Sequence, residues 1–362
     1  MIDPKSRSLE WIKTASSQIP NIADTALVEK AIRALSLLES LVLSGCPFIF
    51  KGGTSLMLHL GTSRRLSIDI DIVCPPGLDI REYLQKYSGD YGFTEVKEIE
   101  RHSRAGVPKS HAEYRYAVTY PSGRPVDKIL LDVLYEDIQY NDVLSLPIAG
   151  PLLLQKGEPV MVRCPSLEDM LGDKLTAFAP HTTGIPFFKG EDDCFMEIMK
   201  QLYDISSIID RIDDISRVRE TYRHIVPIEL GYRNLASLAL TDVLQDTYDC
   251  AMNICMRGAM NPTEFGYCTQ GARRVNSFII PEIYNIDVAI RDAAKVAYLS
   301  CLILTGNSSV KHYKPEMNEE LAAALIIDPS LNKLNRIKKT SLEAFFYLLE
   351  IEKEKTAGSA PA

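Results

Sequence analysis

Asp69 and Asp71 stand two residues apart in the run Ser67-Ile68-Asp69-Ile70-Asp71-Ile72. Strict alternation predicts a strand with the isoleucines on one face and both carboxylates on the other. A rise of ~3.3 Å per residue starts the two side chains roughly 6.6 Å apart, within reach of one cation or two adjacent ones. An all-oxygen ligand pair suits Mg²⁺ or Mn²⁺, and Mg²⁺ also takes phosphate oxygens from a substrate. Upstream, the apolar Phe48-Ile49-Phe50 ends in Lys51-Gly52-Gly53-Thr54-Ser55, and an apolar segment, Leu56 to Leu60, follows. This reads as strand, glycine turn and helix start, with Thr54 or Ser55 as the cap. The free N–H groups and dipole of such a start favour an anion. Arg64 and Arg65 lie between the two segments. Anion pocket, arginines, then carboxylate strand is the order that nucleotidyl transfer needs.

A third carboxylate, Asp132, is the lone charge in Ile129-Leu130-Leu131-Asp132-Val133-Leu134. A carboxylate buried without a partner is costly, so it should meet a cation or a donor. It is either a third metal ligand and general base or a strand-edge residue capping a loop. The run Tyr114 to Tyr120 alternates as well, and Pro121-Ser122-Gly123 turns it into Val126 to Leu134 as a hairpin. The polar stretch holding Lys97, Arg101, Arg104, Lys109, His111 and Arg115 reads as a solvated loop, or as a nucleic-acid contact if it borders the cleft.

Helices should carry the rest. Ser8 to Ser17 is short; Thr25 to Leu43 has Leu27, Ala31, Leu35, Leu38 and Val42 on one stripe, to lie behind the sheet. Asp79 to Tyr87 is a further short helix. After Val160-Met161-Val162-Arg163 the period changes from strand to helix. A start like a capping box, Ser166 to Asp169, opens a helix that contains Lys174 and stops before Pro180. The Gly-, Pro- and Thr-containing stretch Pro180 to Asp193 reads as a loop mobile over the cleft. Cys194 to Ile209 is a helix whose Lys200 and Asp204 lie four apart. Later helices are expected at Leu235 to Met256, Ile286 to Thr305, Glu319 to Ile326 and Ser341 to Glu352. Gly258, Pro262, Gly266, Gly271, Pro281 and Gly306 are read as breaks between them. Lys333, Arg336, Lys338 and Lys339 form a solvated basic cluster.

The chain has 362 residues, which fits two domains, and a net charge of −8, which argues against indiscriminate binding along a duplex. No apolar stretch reaches the length of a membrane span, and the N-terminus lacks the apolar core of a signal peptide. The eight cysteines include no C-x-x-C pair, so no zinc site or disulfide framework is readable and a reduced, cytoplasmic setting is the expectation.

The segment Gly52-Gly53-Thr54-Ser55-Leu56, followed by Arg64-Arg65-Leu66-Ser67-Ile68-Asp69-Ile70-Asp71, resembles the signature of the AbiEii-type toxin nucleotidyltransferases. These belong to the DNA polymerase β-like nucleotidyltransferase superfamily. The resemblance covers about Phe48 to Ile205. It implies an α+β fold, a mixed β-sheet flanked by helices, with a C-terminal helical bundle. The expected division is a nucleotidyltransferase domain over 1–165, a mainly helical domain completing the cleft over 166–356, and a disordered tail, 357–362. It also implies a Mg²⁺-dependent transfer of NMP from an NTP, with Asp69, Asp71 and Asp132 on the metal. Lys51, Gly52, Gly53, Thr54, Ser55, Arg64, Arg65 and Lys174 would face the phosphates. Lys174 lies in a Lys-Leu-x-Ala helix that the family uses for that purpose. Asp204 falls in a segment similar to the family's Lys/Arg-Asp-x-Tyr-Asp-Leu, but Gln201 stands where an Asp is common, which leaves this helix open between a functional and a structural role. The family further implies a toxin of a toxin–antitoxin or phage-defence pair, modifying RNA such as a tRNA 3′ end, with an antitoxin as partner. A protein side chain, a small molecule such as an aminoglycoside, or nucleotide binding without catalysis are the alternatives.

Overall fold

The computed structural model describes residues 1–21, 24–60, 64–99, 107–121 and 123–358, the side chains of 357 and 358 excepted. It divides into two compact units, 1–166 with 277–283, and 167–276 with 284–362.

The first unit begins with α1 (Leu9–Ser17) and α2 (Thr25–Ser44). Ser8 caps α1 and Asp24 caps α2, each side chain accepting a backbone N–H of the first turn. Then come β1 (Ile49–Lys51), α3 (Gly52–Leu60), β2 (Ile70–Cys74), α4 (Arg81–Leu84), β3 (Phe93–Ile99), β4 (Lys109–Ala117), β5 (Val126–Tyr135), β6 (Val143–Pro147) and β7 (Met161–Pro165). Five strands form a mixed sheet in the order β1-β2-β5-β4-β3, with β2 parallel to β5 and the other pairs antiparallel. β6 and β7 pair separately.

The sheet has two chemically different faces. On one, Phe50, Ile70, Ile72, Ile129, Leu131, Val133, Tyr114 and Tyr116 share a core with Val28, Ile32, Leu35 and Leu38 of α2. The other face carries Lys51, Asp71, Asp132 and Glu113, while Asp127 stays on the first face and pairs with Lys30 of α2. Period-two alternation imposes the split, and burying one side of several strands fixes their register.

Polar groups also anchor α2. Glu29 is buried, and its carboxylate accepts the Thr119 N–H (2.9 and 3.1 Å), the Tyr120 N–H (2.8 Å) and Nη2 of Arg33 (3.2 Å). The helix therefore holds the exit of β4 by charge-assisted bonds in a dry setting. At its other end Glu39 accepts the Ile2 N–H and the Tyr91 hydroxyl.

Two expectations change here. The strand expected to begin at Ser67 begins at Ile70. The preceding residues pair with the returning segment 277–283 instead: Leu66 N–H to Phe278 O at 2.8 Å, Ile280 N–H to Arg64 O at 3.0 Å. The polar stretch read as a loop is largely β3 and β4. Lys97 faces Glu113 in register, and Arg115 meets Glu95 and Glu113 at 3.4 and 3.5 Å. Like-spaced opposite charges let a polar sequence form strands. Arg101 and Arg104 lie outside the described residues.

The second unit is nearly all helical: α5 (Leu167–Ala177), a two-residue hairpin of β8 (Phe188–Lys189) and β9 (Asp192–Asp193), α6 (Phe195–Ile209), α7 (Ser216–Tyr232), α8 (Leu240–Cys255), α9 (Pro262–Val275), α10 (Ile286–Thr305), α11 (Asn318–Ala323) and α12 (Leu342–Gly358). Helix α7 was not foreseen, and Gly266 and Gly271 sit inside α9 rather than breaking the chain. A Cβ on Gly271 would stand 2.2 Å from the Phe195 carbonyl, so this glycine lets α9 lie close on α6. Helix α12 runs to Gly358, two residues into the expected tail; 359–362 lie outside the described residues. No helix among the described residues is long and apolar enough to cross a membrane.

Glu29→Ala should cost about 3–5 kcal/mol, since it strands buried donors around a lost carboxylate. Glu29→Gln, which keeps an acceptor, should cost less. Chemical denaturation of both variants checks this; equal losses would refute a role for the acceptor.

Candidate active site

The open face of the sheet presents one continuous row. Lys51 on β1 pairs in register with Asp71 on β2, Asp71 with Asp132 on β5, and Asp132 with His111 on β4. Residues opposite each other point to the same face, so two acids stand side by side between nitrogen-bearing side chains. Neighbouring strands are roughly 4.8 Å apart. Asp69 lies one residue before β2, and its carbonyl accepts the Thr54 hydroxyl.

The glycine turn is shaped by these acids. Gly52 has φ +80°, and a Cβ there would stand 2.2 Å from Oδ2 of Asp71. A Cβ on Gly53 would stand 2.3 Å from Nη2 of Arg65 and 2.9 Å from Oγ of Ser67. Asp71 and Arg65 thus rest directly on the backbone of the turn, one on each glycine. Arg65 is buried and also donates from Nη1 to the Leu66 carbonyl at 3.1 Å. Of the two arginines in the motif, Arg65 is the one placed against the turn; Arg64 gives its carbonyl to Ile280.

Thr54 and Ser55 are corrected in their detail. Helix α3 starts at Gly52, so both lie inside it and neither is its cap. Both are fully buried. The Thr54 hydroxyl donates to the Asp69 carbonyl at 2.6 Å, tying helix to strand. The Ser55 hydroxyl lies against the Cys164 thiol, which burial pushes up to about 11 while Ser55 pulls it down. The backbone of the turn and the N-terminal end of α3 lie beside them.

The oxygen-only donor set of Asp69, Asp71 and Asp132 fits a hard divalent cation in kind. Among the described residues, no three His, Cys, Asp or Glu side chains converge tightly enough to hold an ion by themselves. Mg²⁺ commonly uses one or two carboxylates and fills its shell with water and phosphate. Asp71 and Asp132, in register on neighbouring strands, are the two that would hold such an ion.

In the second unit, Lys174 donates to Oδ2 of Asp204 at 2.7 Å and to Oε1 of Gln201 at 3.4 Å. The lysine side chain is 7% exposed and the aspartate 1%. Asp204, expected opposite Lys200 on its own helix, is turned inward onto α5. Gln201, the departure from the family pattern, still reaches the lysine as a neutral acceptor.

The stretch expected to be mobile, Pro180 to Asp193, is clasped. The His181 N–H donates to Asp246 on α8 at 2.9 Å; its ring bonds Asp246 through Nδ1 at 2.7 Å and Glu264 on α9 through Nε2 at 2.9 Å. Phe187, Phe188, Phe195 and Tyr267 form a ring cluster beyond it. A cavity of about 470 Å³ lies beside the clasp, lined by Asp242, Asp246, Asp249 and Glu264. The hydrogen bond to Asp246, and to a lesser extent that to Glu264, raises His181 from 6.5 to about 9 against the opposing effect of burial. The partners of His181 and His111 were not legible in the sequence, because each comes from a distant element.

Two outcomes follow. Gly52→Ala should push the Asp71 carboxylate aside and weaken Mn²⁺ binding about tenfold or more, whereas Gly150→Ala adds a Cβ into open space and should leave binding unchanged; a Mn²⁺ titration decides. The folded state favours charged His181, so its stabilisation is complete below about pH 6.5 and is lost as pH rises through about 9. Thermal midpoints measured across that range should therefore fall more steeply for the wild type than for His181→Asn, and parallel curves would contradict the clasp.

Residues 33–245 match the model of the AbiEii family, described as nucleotidyl transferase AbiEii toxin of a type IV toxin–antitoxin system. Among curated proteins, none matches. A presumed nucleotidyltransferase from H. pylori is similar at 14% identity and a TM-score of 0.41, covering 76% of this chain and 92% of its own. An antigenic nucleotidyltransferase-like protein from Paracoccidioides brasiliensis is similar at 14% identity and a TM-score of 0.33, covering 56% of this chain and 92% of its own. The family match takes in more than half of the chain, from α2 through the glycine turn and the acidic row into α8: this protein belongs to the AbiEii nucleotidyltransferase toxin family.

Proposed function

We propose that this nucleotidyltransferase transfers NMP from an NTP to RNA, with a tRNA 3′ end as the acceptor, in a Mg²⁺- or Mn²⁺-dependent reaction. What supports the reading is the register row: Asp71 and Asp132 lie side by side next to the glycine turn that opens helix α3. A cation held by Asp71 and Asp132, with Asp69 beside them, would acidify the attacking hydroxyl and offset charge on the leaving pyrophosphate. The turn at Gly52-Gly53 and the start of α3 offer N–H groups to the phosphates. Arg65, resting on Gly53, and Lys51, beside Asp71, add positive charge that is fixed before substrate arrives. Asp132 is the base for the acceptor hydroxyl. The Lys174–Asp204 pair is assigned to the nucleotide phosphates as a buried cation held by its own carboxylate.

The family's type IV designation extends the proposal to a cognate antitoxin, a role in phage defence and a site of action in the cytoplasm. The domain reading is kept likewise: residues 1–165 hold the transferase chemistry and 166–356 support it.

The test incubates the full chain with each labelled NTP, Mg²⁺ and total RNA, with protein and an aminoglycoside as competing acceptors. RNA should take the label. The Asp69→Asn, Asp71→Asn double variant should lose at least about 10²-fold in rate, and Lys174→Ala should raise the KM for NTP. An equally active double variant would end the proposal; label in protein or aminoglycoside would move it to that acceptor. Label in none of them, with NTP still bound, would favour a nucleotide-binding module. Sequencing RNA 3′ ends from expressing cells then identifies the acceptor.

A further inference from the structure

We propose that His111 is a positioning residue for Asp132, setting the orientation in which that carboxylate meets a divalent cation; this rests on the reading of Asp132 as a cation ligand. Nδ1 of His111 lies 2.6 Å from Oδ1 of Asp132. A carboxylate accepts, so Nδ1 carries the proton and donates. The bond engages one oxygen and leaves the second for an ion.

The backbone around His111 makes it a firm post. β4 is flanked on both sides, and His111 sits in register with Ile99 of β3 as well as Asp132 of β5. Its side chain is 13% exposed, against 38% for Asp132. A carboxylate this open samples several rotamers unless a fixed donor selects one. Donors behind ligating side chains orient them in this way, and losing one commonly weakens metal affinity 10- to 100-fold. The row Lys51–Asp71–Asp132–His111 thus ends in a nitrogen whose bond aims the acid next to it.

The test needs no turnover. Mn²⁺ is titrated into the full-length protein without nucleotide, and free ion is read by electron paramagnetic resonance for wild type, Asp71→Asn, His111→Ala and His111→Asn. The Asn amide nitrogen occupies nearly the place of Nδ1. His111→Ala should weaken Mn²⁺ about tenfold, and His111→Asn should recover most of that. In turnover, His111→Ala should raise the Mg²⁺ concentration for half-maximal rate more than it lowers kcat. Wild-type Mn²⁺ affinity in His111→Ala, with binding lost in Asp71→Asn, would overturn the inference and leave the metal reading intact. So would an Asn variant as weak as the Ala variant, because the hydrogen bond would then not be the cause. Asp71→Asn binding Mn²⁺ like wild type would overturn the metal reading and this inference with it.

Discussion

The site depends on the contact between Asp71 and Gly52. A carboxylate lies where any other residue would have its Cβ, and the glycine holds a left-handed φ that only its type adopts at little cost. Antiparallel pairing of β1 with β2 forces the meeting, because Lys51 at the end of one strand is the register partner of Asp71 on the other. Turn, helix start and acid are therefore a single object. Moving the acid moves the backbone that would receive a phosphate.

That object is carried by a sheet whose two faces obey different rules. Behind it, α2 and the isoleucines, tyrosines and leucines of the strands exclude water. In front, the same strands keep acids, lysines and His111 in rows. There His111 meets Asp132, and Lys128 and Arg115 both meet Glu113. Rigid backing also makes the positions of the acids a property of register, which packing of the rear face enforces.

Short-range pattern carried most of what the sequence disclosed. The glycine turn, the alternating acids, Asp132 in its apolar run and the long helices α2 and α10 all advertise themselves by period or by punctuation. What escaped depends on partners far along the chain. The polar strands β3 and β4 look like solvent loop until each charge is seen beside its neighbour. Gly271 looks like a break until α6 is placed against α9. Thr54 and Ser55 look like phosphate donors, yet Thr54 spends its hydroxyl on the Asp69 carbonyl. His111 was one polar residue among several, and only cross-strand register puts it on Asp132.

The segment 277–283 has a practical consequence for anyone dissecting this protein. Seven residues from deep in the helical half of the gene belong to the first unit, where they bond the backbone of the Arg64–Leu66 stretch and, through Ile280, the Asn21 side chain. An expression clone ending at residue 166 would omit them, leaving unclaimed donors and acceptors immediately beside the arginine that rests on Gly53. A faithful fragment would have to be a discontinuous one, with the short downstream stretch spliced back by a linker or supplied as a peptide.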